Sequence, residues 1–325
     1  MGIEFEKKNL LQIYFKMSLE EVIDYYQKLR KYQLENEDKI KGIKIRKALY
    51  QIIKLILYID ELSKNRSIEV IGDERKKVFL YNENDFSKEK WNKKTRIYSC
   101  THIGRYDIES ALRGVNDSCY FVMADPGETY QNIDGLLLRL NGVTWFDMDN
   151  KFDCHTANVR QIKALNSGAN ELVFPEAAYN LEPVQIVGDL HPGMVRRAIK
   201  TNSNIIPVSM EQYEDEDTRK KNYVLNIGNS INLENKGLDS DIEIANYIRE
   251  EMIKLKKEIW EIYGGAKPSM EEFINDPLAL SNYKKQIDFI MRDVPSYYTI
   301  SDIVREVYHP SDEMIKSLKK INYLK

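Results

Sequence analysis

Residues 96–109 read Arg-Ile-Tyr-Ser-Cys-Thr-His-Ile-Gly-Arg-Tyr-Asp-Ile-Glu, and this stretch decides the class of fold. Arg96–Cys100 is a short β-rich run, and beyond Gly104 the pattern turns helical, so a strand feeds a helix within a few residues. Further β-rich runs follow at Tyr120–Ala124, Val143–Phe146, Leu172–Phe174, Ile205–Ser209 and Val224–Ile227, with helical segments between them. Strands alternating with helices predict an α/β fold: a central, mainly parallel or mixed sheet with helices on both faces.

Outward from this centre the texture changes. Up to about residue 65 apolar positions such as Leu19, Val22, Ile23, Tyr26 and Leu29 recur near a 3.6-residue period. After Asp239 helical patterns return and run to Lys325, punctuated by Gly264-Gly265 and by Pro268, Pro277, Pro295 and Pro310. The expected plan is a helical N-terminal region over 1–88, an α/β core over 89–238 and a helical C-terminal extension over 239–325. No internal repeat is visible.

Composition narrows the function classes. The chain has 325 residues, 42% hydrophobic and 30% charged, which suits a folded protein and not a disordered tail. Lys and Arg number 48 against 51 Asp and Glu, so the net charge of −3 gives no basic surface for nucleic acid, and none is expected as a partner. The longest uninterrupted apolar run, Cys119–Ala124, falls far short of the roughly 20 residues of a membrane-spanning helix. The N-terminus lacks the apolar block of a signal peptide, so a cytoplasmic location is expected. Cys100, Cys119 and Cys154 have no C-x-x-C spacing, as expected of reduced thiols and not of a zinc site.

There are only 4 histidines, so one in a recognisable context is informative. His102 and Asp107 form an H-x4-D pair, which a chain with this many His and Asp shows by chance about 0.3 times. Five positions apart on a regular helix the two would diverge, so they converge only if His102 precedes the helix and Asp107 lies in its first turn. Gly104 between them permits that junction. The second motif, Phe174-Pro175-Glu176, ends a strand and presents a carboxylate; its chance expectation is about 0.03.

The order His-x4-Asp, then Gly142-Val143-Thr144-Trp145-Phe146-Asp147, then Phe174-Pro175-Glu176, then Gly193 to Ala198 with Ile205-Ile206-Pro207-Val208, resembles the four blocks of the lysophospholipid and glycerolipid acyltransferase family. The resemblance covers residues 96 to about 230, and the 74-residue step from His102 to Glu176 is similar to that of the family. It implies transfer of an acyl group from a thioester, acyl-coenzyme A or acyl-carrier protein, to a hydroxyl, with no bound cofactor and no metal. It makes His102 the general base and Asp107 the carboxylate that orients the imidazole. Glu176 inherits acceptor placement, with Phe174, Pro175, Arg105, Tyr179, Asn180 and Gly193 as its companions in substrate binding.

The departures are as telling. Members that act on glycerol phosphate or lysophosphatidate typically read Phe-Pro-Glu-Gly-Thr-Arg-Ser and carry an Arg after the second-block Asp, cations suited to a phosphate. Here the corresponding residues are Ala177, Ala178, Tyr179, Asn180 and Met148. The expected pocket beside Glu176 therefore has an aromatic face and few cations. It suits a lipid, sugar or glycan-precursor hydroxyl that bonds to Glu176 and Asn180, and not a simple glycerophosphate; Arg105, Arg139 and Arg160 are the remaining sources of a clamp.

Two other function classes have some support. Asp147-Met148-Asp149 follows an apolar run, as in metal-dependent glycosyltransferases, although about 1.5 D-x-D patterns are expected by chance; Asp153 and His155 lie nearby. Residues 39–59 carry six Lys or Arg, no acid and an apolar stripe at Ile45, Leu49, Ile52, Ile53 and Ile56. Such a helix fits a peripheral contact with the inner face of a membrane, for the enzyme or for a non-catalytic adaptor; packed on the core it would instead leave its lysines in water.

Overall fold

The computed structural model describes residues 8, 12–13, 16–36, 42–72, 94–124, 141–146, 150–233, 240–294 and 298–325. Among the described residues, the helices α1 (Leu19–Asn36) and α2 (Ile43–Ser63) precede the sheet. The core then runs β1 (Arg66–Ile71), β2 (Arg96–Cys100), α3 (Asp107–Val115), β3 (Cys119–Ala124), β4 (Val143–Phe146), α4 (Lys151–Asn166), β5 (Asn170–Val173), α5 (Gly193–Thr201), β6 (Asn204–Glu214) and β7 (Lys221–Ile227). The C-terminal part is helical: α6 (Asp241–Tyr263), α7 (Met270–Asn275), α8 (Ala279–Met291), α9 (Ile300–Glu306) and α10 (Asp312–Lys320).

Among the described residues seven strands form one sheet in the order β1-β7-β6-β2-β5-β3-β4. The pairs β6-β2, β2-β5, β5-β3 and β3-β4 are parallel, while β7 runs antiparallel to β6 and takes β1 parallel on its far side. The sheet is thus mixed, as its alternating strand and helix pattern predicts. Period-2 alternation sorts the side chains. Tyr98, Cys100, Ile206 and Val208 pack with Ile53 and Leu57 of α2 and Ala111, Leu112 and Val115 of α3. Ile97 and Ile205 face the other way, against Val195 and Ala198 of α5 and Ile244, Ile248 and Met252 of α6.

Each expected strand is present, with shifted ends: β6 extends to Glu214, β7 starts at Lys221, and β5 stops at Val173, leaving Phe174 in the turn beyond. The strand β1 was not expected. Its signal is the alternation Ser67, Ile68, Glu69, Val70, whose two apolar members pack on the core from the N-terminal side of residue 89.

The C-terminal helices make a third core, and two residues of the turn after β5 are inside it. Ala178 and Leu181 are buried with Phe273, Tyr283, Ile287, Ile303 and Leu318. Polar ties reinforce this: Tyr283 donates its hydroxyl to the Leu181 carbonyl at 2.6 Å, and the Glu182 carboxylate accepts the Ser311 N–H at 2.9 Å and its hydroxyl at 2.5 Å. Leu181→Ala is expected to lower the unfolding free energy by about 2–5 kcal/mol, as a fully buried truncation does, measured by urea denaturation; a change below 1 kcal/mol would show that the turn does not depend on this core.

Candidate active site

The pairing register of β2 and β5 places the two motifs. Ile97, Tyr98 and Ser99 lie opposite Glu171, Leu172 and Val173, so the same offset carried past both strand ends sets residue 102 beside residue 176. In open α/β sheets such a crevice beyond the carboxyl ends of parallel strands is where ligands bind. The structure realises that neighbour relation, because the His102 N–H donates to Glu176 Oε1 at 2.9 Å.

His102 sits in the turn between β2 and α3, and Asp107 is the first residue of the helix. A single carboxylate oxygen, Asp107 Oδ2, accepts from the Ile103 N–H at 3.0 Å, the Gly104 N–H at 3.3 Å and His102 Nδ1. The sequence thereby meets the condition set above: the histidine precedes the helix and the aspartate lies in its first turn. Asp107 is 1% exposed, so this contact is made away from water. Burial alone would lower the His102 pKa. The Asp107 charge and hydrogen bond, with Glu176 and Glu306 adding to them, outweigh burial and raise it above the ordinary histidine value. A carboxylate on Nδ1 fixes the proton there and leaves Nε2 as the basic nitrogen.

Glu176 is a buried support. Its Oε1 takes the His102 N–H and its Oε2 takes the Gly188 N–H at 2.7 Å. Burial pushes its carboxyl pKa up, against those backbone hydrogen bonds and the His102 charge. The turn that carries it closes with the Ala177 N–H on the Phe174 carbonyl at 3.0 Å. Ala177, where the family pattern has glycine, adopts φ 68°, in the left-handed region that disfavours a Cβ.

Of the remaining motif residues, Phe174 and Tyr179 meet the imidazole itself. The Phe174 ring centroid lies 4.8 Å and the Tyr179 centroid 4.6 Å from that of His102, the latter edge-on. The Pro175 carbonyl accepts the His191 N–H at 2.7 Å. Asn180 staples its own loop: its N–H donates to the His102 carbonyl at 3.1 Å, its amide to the Ile186 carbonyl at 3.1 Å, and its Oδ1 accepts the Glu182 N–H at 2.9 Å. The guanidinium of Arg105 lies 5.7 Å from the Tyr106 ring centroid. Gly193 opens α5, donating its N–H to His191 Nδ1 at 3.1 Å. Arg160 is on α4; Arg139, Asp147, Met148 and Asp149 lie outside the described residues. Among the described residues no three His, Cys, Asp or Glu side chains converge as a metal set.

A cavity of about 90 Å³ adjoins the dyad, lined by Thr101, His102, Glu176 and Asn180 together with Glu211, Lys256, Trp260 and Lys267. This corrects one expectation. Aromatic rings are there, but the cavity also holds two lysines, supplied by α6 and the loop after it, which lie beyond the segment carrying the family resemblance. Lys256 had a legible signal: four residues after Met252, it falls on the stripe of Ile244, Ile248, Met252 and Ile259 that α6 buries. Lys267, in Gly264-Gly265-Ala266-Lys267-Pro268, had none. The extension also closes in from α9: Tyr298 donates its hydroxyl to Glu306, and its ring centroid lies 6.4 Å from that of Tyr179.

Comparison with known proteins bears on the segment that holds the two motifs and on the fold. Residues 69–211, which hold both motifs, match the family model described as Acyltransferase. Among solved structures, the crystal structure of the 1-acyl-sn-glycerophosphate (LPA) acyltransferase PlsC from Thermotoga maritima superposes with a TM-score of 0.51 over 78% of this chain and 92% of that chain, at 16% identity. That likeness is one of fold. No curated protein matches the chain.

Two outcomes follow from the local chemistry. Asp107→Asn removes the charge that outweighs burial, so the pH at which the His102 ring titrates is expected to move down, read by NMR of the assigned imidazole; an unmoved or raised titration would detach Asp107 from the dyad. Ala177→Gly is expected to raise the unfolding free energy by about 1 kcal/mol, because it relieves left-handed strain at an exposed position where no packing is lost. Urea denaturation reads this, and a loss of stability would refute the strain.

Proposed function

We propose, for a chain whose residues 69–211 match the acyltransferase family model, that it moves an acyl group from a thioester, acyl-coenzyme A or acyl-carrier protein, to the hydroxyl of a small acceptor. The observation that carries this reading is the imidazole of His102, held on Nδ1 by buried Asp107 at the edge of the cavity.

An alcohol is a weak nucleophile at neutral pH. His102 Nε2 takes the hydroxyl proton as the oxygen attacks the thioester carbonyl, and Asp107 stabilises the imidazolium that forms. The tetrahedral intermediate collapses with cleavage of the C–S bond. The departing sulfur takes the proton from Nε2, giving an ester, a free thiol and neutral histidine, with no covalent acyl-enzyme. Glu176 acts through the backbone, fixing the His102 turn from the opposite side to Asp107.

The acceptor is not a simple glycerophosphate, because Ala177, Ala178, Tyr179 and Asn180 stand where the family's phosphate-binding residues would be. The chain works at a membrane surface through α2. That helix buries Tyr50, Ile53 and Leu57 but exposes Ile45, Ile52, Ile56 and Ile59 on one stripe, with Leu55 and Leu62 beside it. Lys44 and Lys47 are exposed near the start of the helix and can meet anionic head groups, while Arg46, over the Tyr120 ring at 5.2 Å, and Lys54, which donates to Asn116 Oδ1 at 2.9 Å, tie the other side of the helix to the core. No described helix is long and apolar enough to cross a membrane.

The test of the chemistry offers a labelled acyl thioester with a cell extract and identifies the acylated product by mass spectrometry. His102→Ala, with folding verified by circular dichroism, is expected to lose about 10²–10⁴ in rate; wild-type turnover by that variant ends the mechanism. For the membrane contact, co-sedimentation with vesicles containing phosphatidylglycerol is expected to exceed that with neutral phosphatidylcholine vesicles and to fall in Ile52→Asp/Ile59→Asp. Equal sedimentation of wild type and variant would remove α2 from the surface.

A further inference from the structure

The cavity carries a charge that the acyl-transfer chemistry does not use. Lys256 is matched: its ammonium lies 3.1 Å from Glu211 Oε2, which also accepts the Trp260 indole N–H at 2.7 Å. Glu176 directs both oxygens to backbone N–H groups, and its charge reaches Lys267 only through space, with no hydrogen bond between them. Lys267 differs. Its ammonium donates to the Glu182 backbone carbonyl and, at 3.2 Å, to the Gln286 amide oxygen, both of them neutral. An ammonium has three N–H donors, so one remains for the cavity that Lys267 lines.

Burial pulls the Lys267 pKa down to about 8, and the Lys256 charge pulls the same way, while Glu211, Glu182 and Glu176 hold it up. The group is therefore mostly cationic at neutral pH, and it is a partly buried cation whose own hydrogen bonds go to neutral oxygens. Such a charge is stabilised by an anion brought to it. The space is about 90 Å³, room for a few water-sized groups and not for a fatty chain.

We infer that Lys267 selects the acceptor: the hydroxyl substrate bears one negative charge of carboxylate type, seated on the Lys267 ammonium while its hydroxyl reaches His102. The count of charges favours a single one. A phosphate monoester carries about −1.5 to −2 near neutral pH and needs further cations, whereas Lys256 is already committed to Glu211. The acceptor class is thus a small hydroxy-carboxylate. This inference rests on the acyl-transfer reading of the same cavity.

Three compounds on one scaffold separate the possibilities: glycerate, glycerol and glycerol 3-phosphate. Each is offered with an acyl-coenzyme A donor, and each is separately tested for protection of Lys267 against acetic anhydride, read by peptide mass spectrometry. Glycerate is expected to have a KM at least tenfold below that of the other two and to be the compound that protects Lys267. Lys267→Met is expected to raise the KM for glycerate at least tenfold with a much smaller change in kcat, and Lys267→Arg to recover part of the loss. Protection by glycerate is expected to persist in His102→Ala, where transfer is lost. Transfer with no protection by glycerate overturns the Lys267 seat and leaves acyl transfer standing. Protection with no transfer to any acceptor overturns the acyl-transfer reading and leaves the anion seat. Preference for glycerol 3-phosphate, in KM or in protection, overturns the single-charge assignment. The labelling is done on the wild-type chain, so the inference stays open to refutation even if Lys267→Met fails to fold.

Discussion

The turn that presents His102 exists because two buried carboxylates hold its backbone from opposite sides. Asp107 takes the N–H groups of Ile103 and Gly104, and Glu176 takes the N–H of His102 itself. Hydrogen bonds to charged groups contribute about 1.5–3 kcal/mol each, and removing one partner of a buried charge costs about 3–5 kcal/mol. With Asp107 at 1% and Glu176 at 3% exposure, neither carboxylate has water as an alternative partner. The backbone groups after β2 could not join the sheet ladder once the chain turned towards α3, so these side chains satisfy them and fix the ring position in the same act. Shape and reactivity of the site therefore depend on the same few atoms.

The same logic extends into the C-terminal helices. Glu176 also anchors Gly188, and the segment between them threads Ala178 and Leu181 into the helical core of α7 to α10. The Tyr308 N–H donates to the Glu176 carbonyl at 3.3 Å, so the loop after α9 bonds to the residue that supports His102. The extension is not an appendage on a finished catalytic unit. It packs on the turn after β5 and supplies part of the cavity wall.

Much of this was legible in the sequence, and unequally so. Strands β2 to β7 announced themselves by β-rich runs between helical segments, because a buried sheet leaves a local record in each strand. The dyad was legible too, since only a strand-to-helix junction lets an H-x4-D pair converge, and the local chain carries that constraint. β1 was missed although Ser67 to Val70 alternate; its partner, β7, lies more than 150 residues away, and a short strand behind a long helix gives little sign of such pairing. The lysines of the cavity were missed for a stronger reason. Lys267 reaches the site only because α6 crosses the sheet and the loop after it returns towards β2 and β5, a fact of tertiary packing with no counterpart in local pattern. Asn180 and Glu176 show the reverse limit: the motif located them, but their hydrogen bonds to the backbone of distant turns give them structural work that a motif does not display.

The departures at 177–180 and the cations of the cavity belong to one arrangement. In the family pattern these positions offer glycine, threonine and arginine towards an anionic head group. Here Ala178 is buried in the C-terminal core and Tyr179 lies edge-on to His102 with Tyr298 behind it. A guanidinium at 178 would be pressed into that apolar core, which burial disfavours strongly, and at 179 the Tyr179 and Tyr298 rings fill the space beside His102. Once the turn packs against the extension it no longer has room to offer a cation. The segment that created the restriction is also the one that brings Lys256 and Lys267 to the cavity. Because Lys256 is paired with Glu211, the exchange is not one for one: the two arginines of the family pattern, one on this turn and one after the second-block Asp, give way to a single partly buried ammonium, a narrower filter for both the size and the charge of what reaches His102.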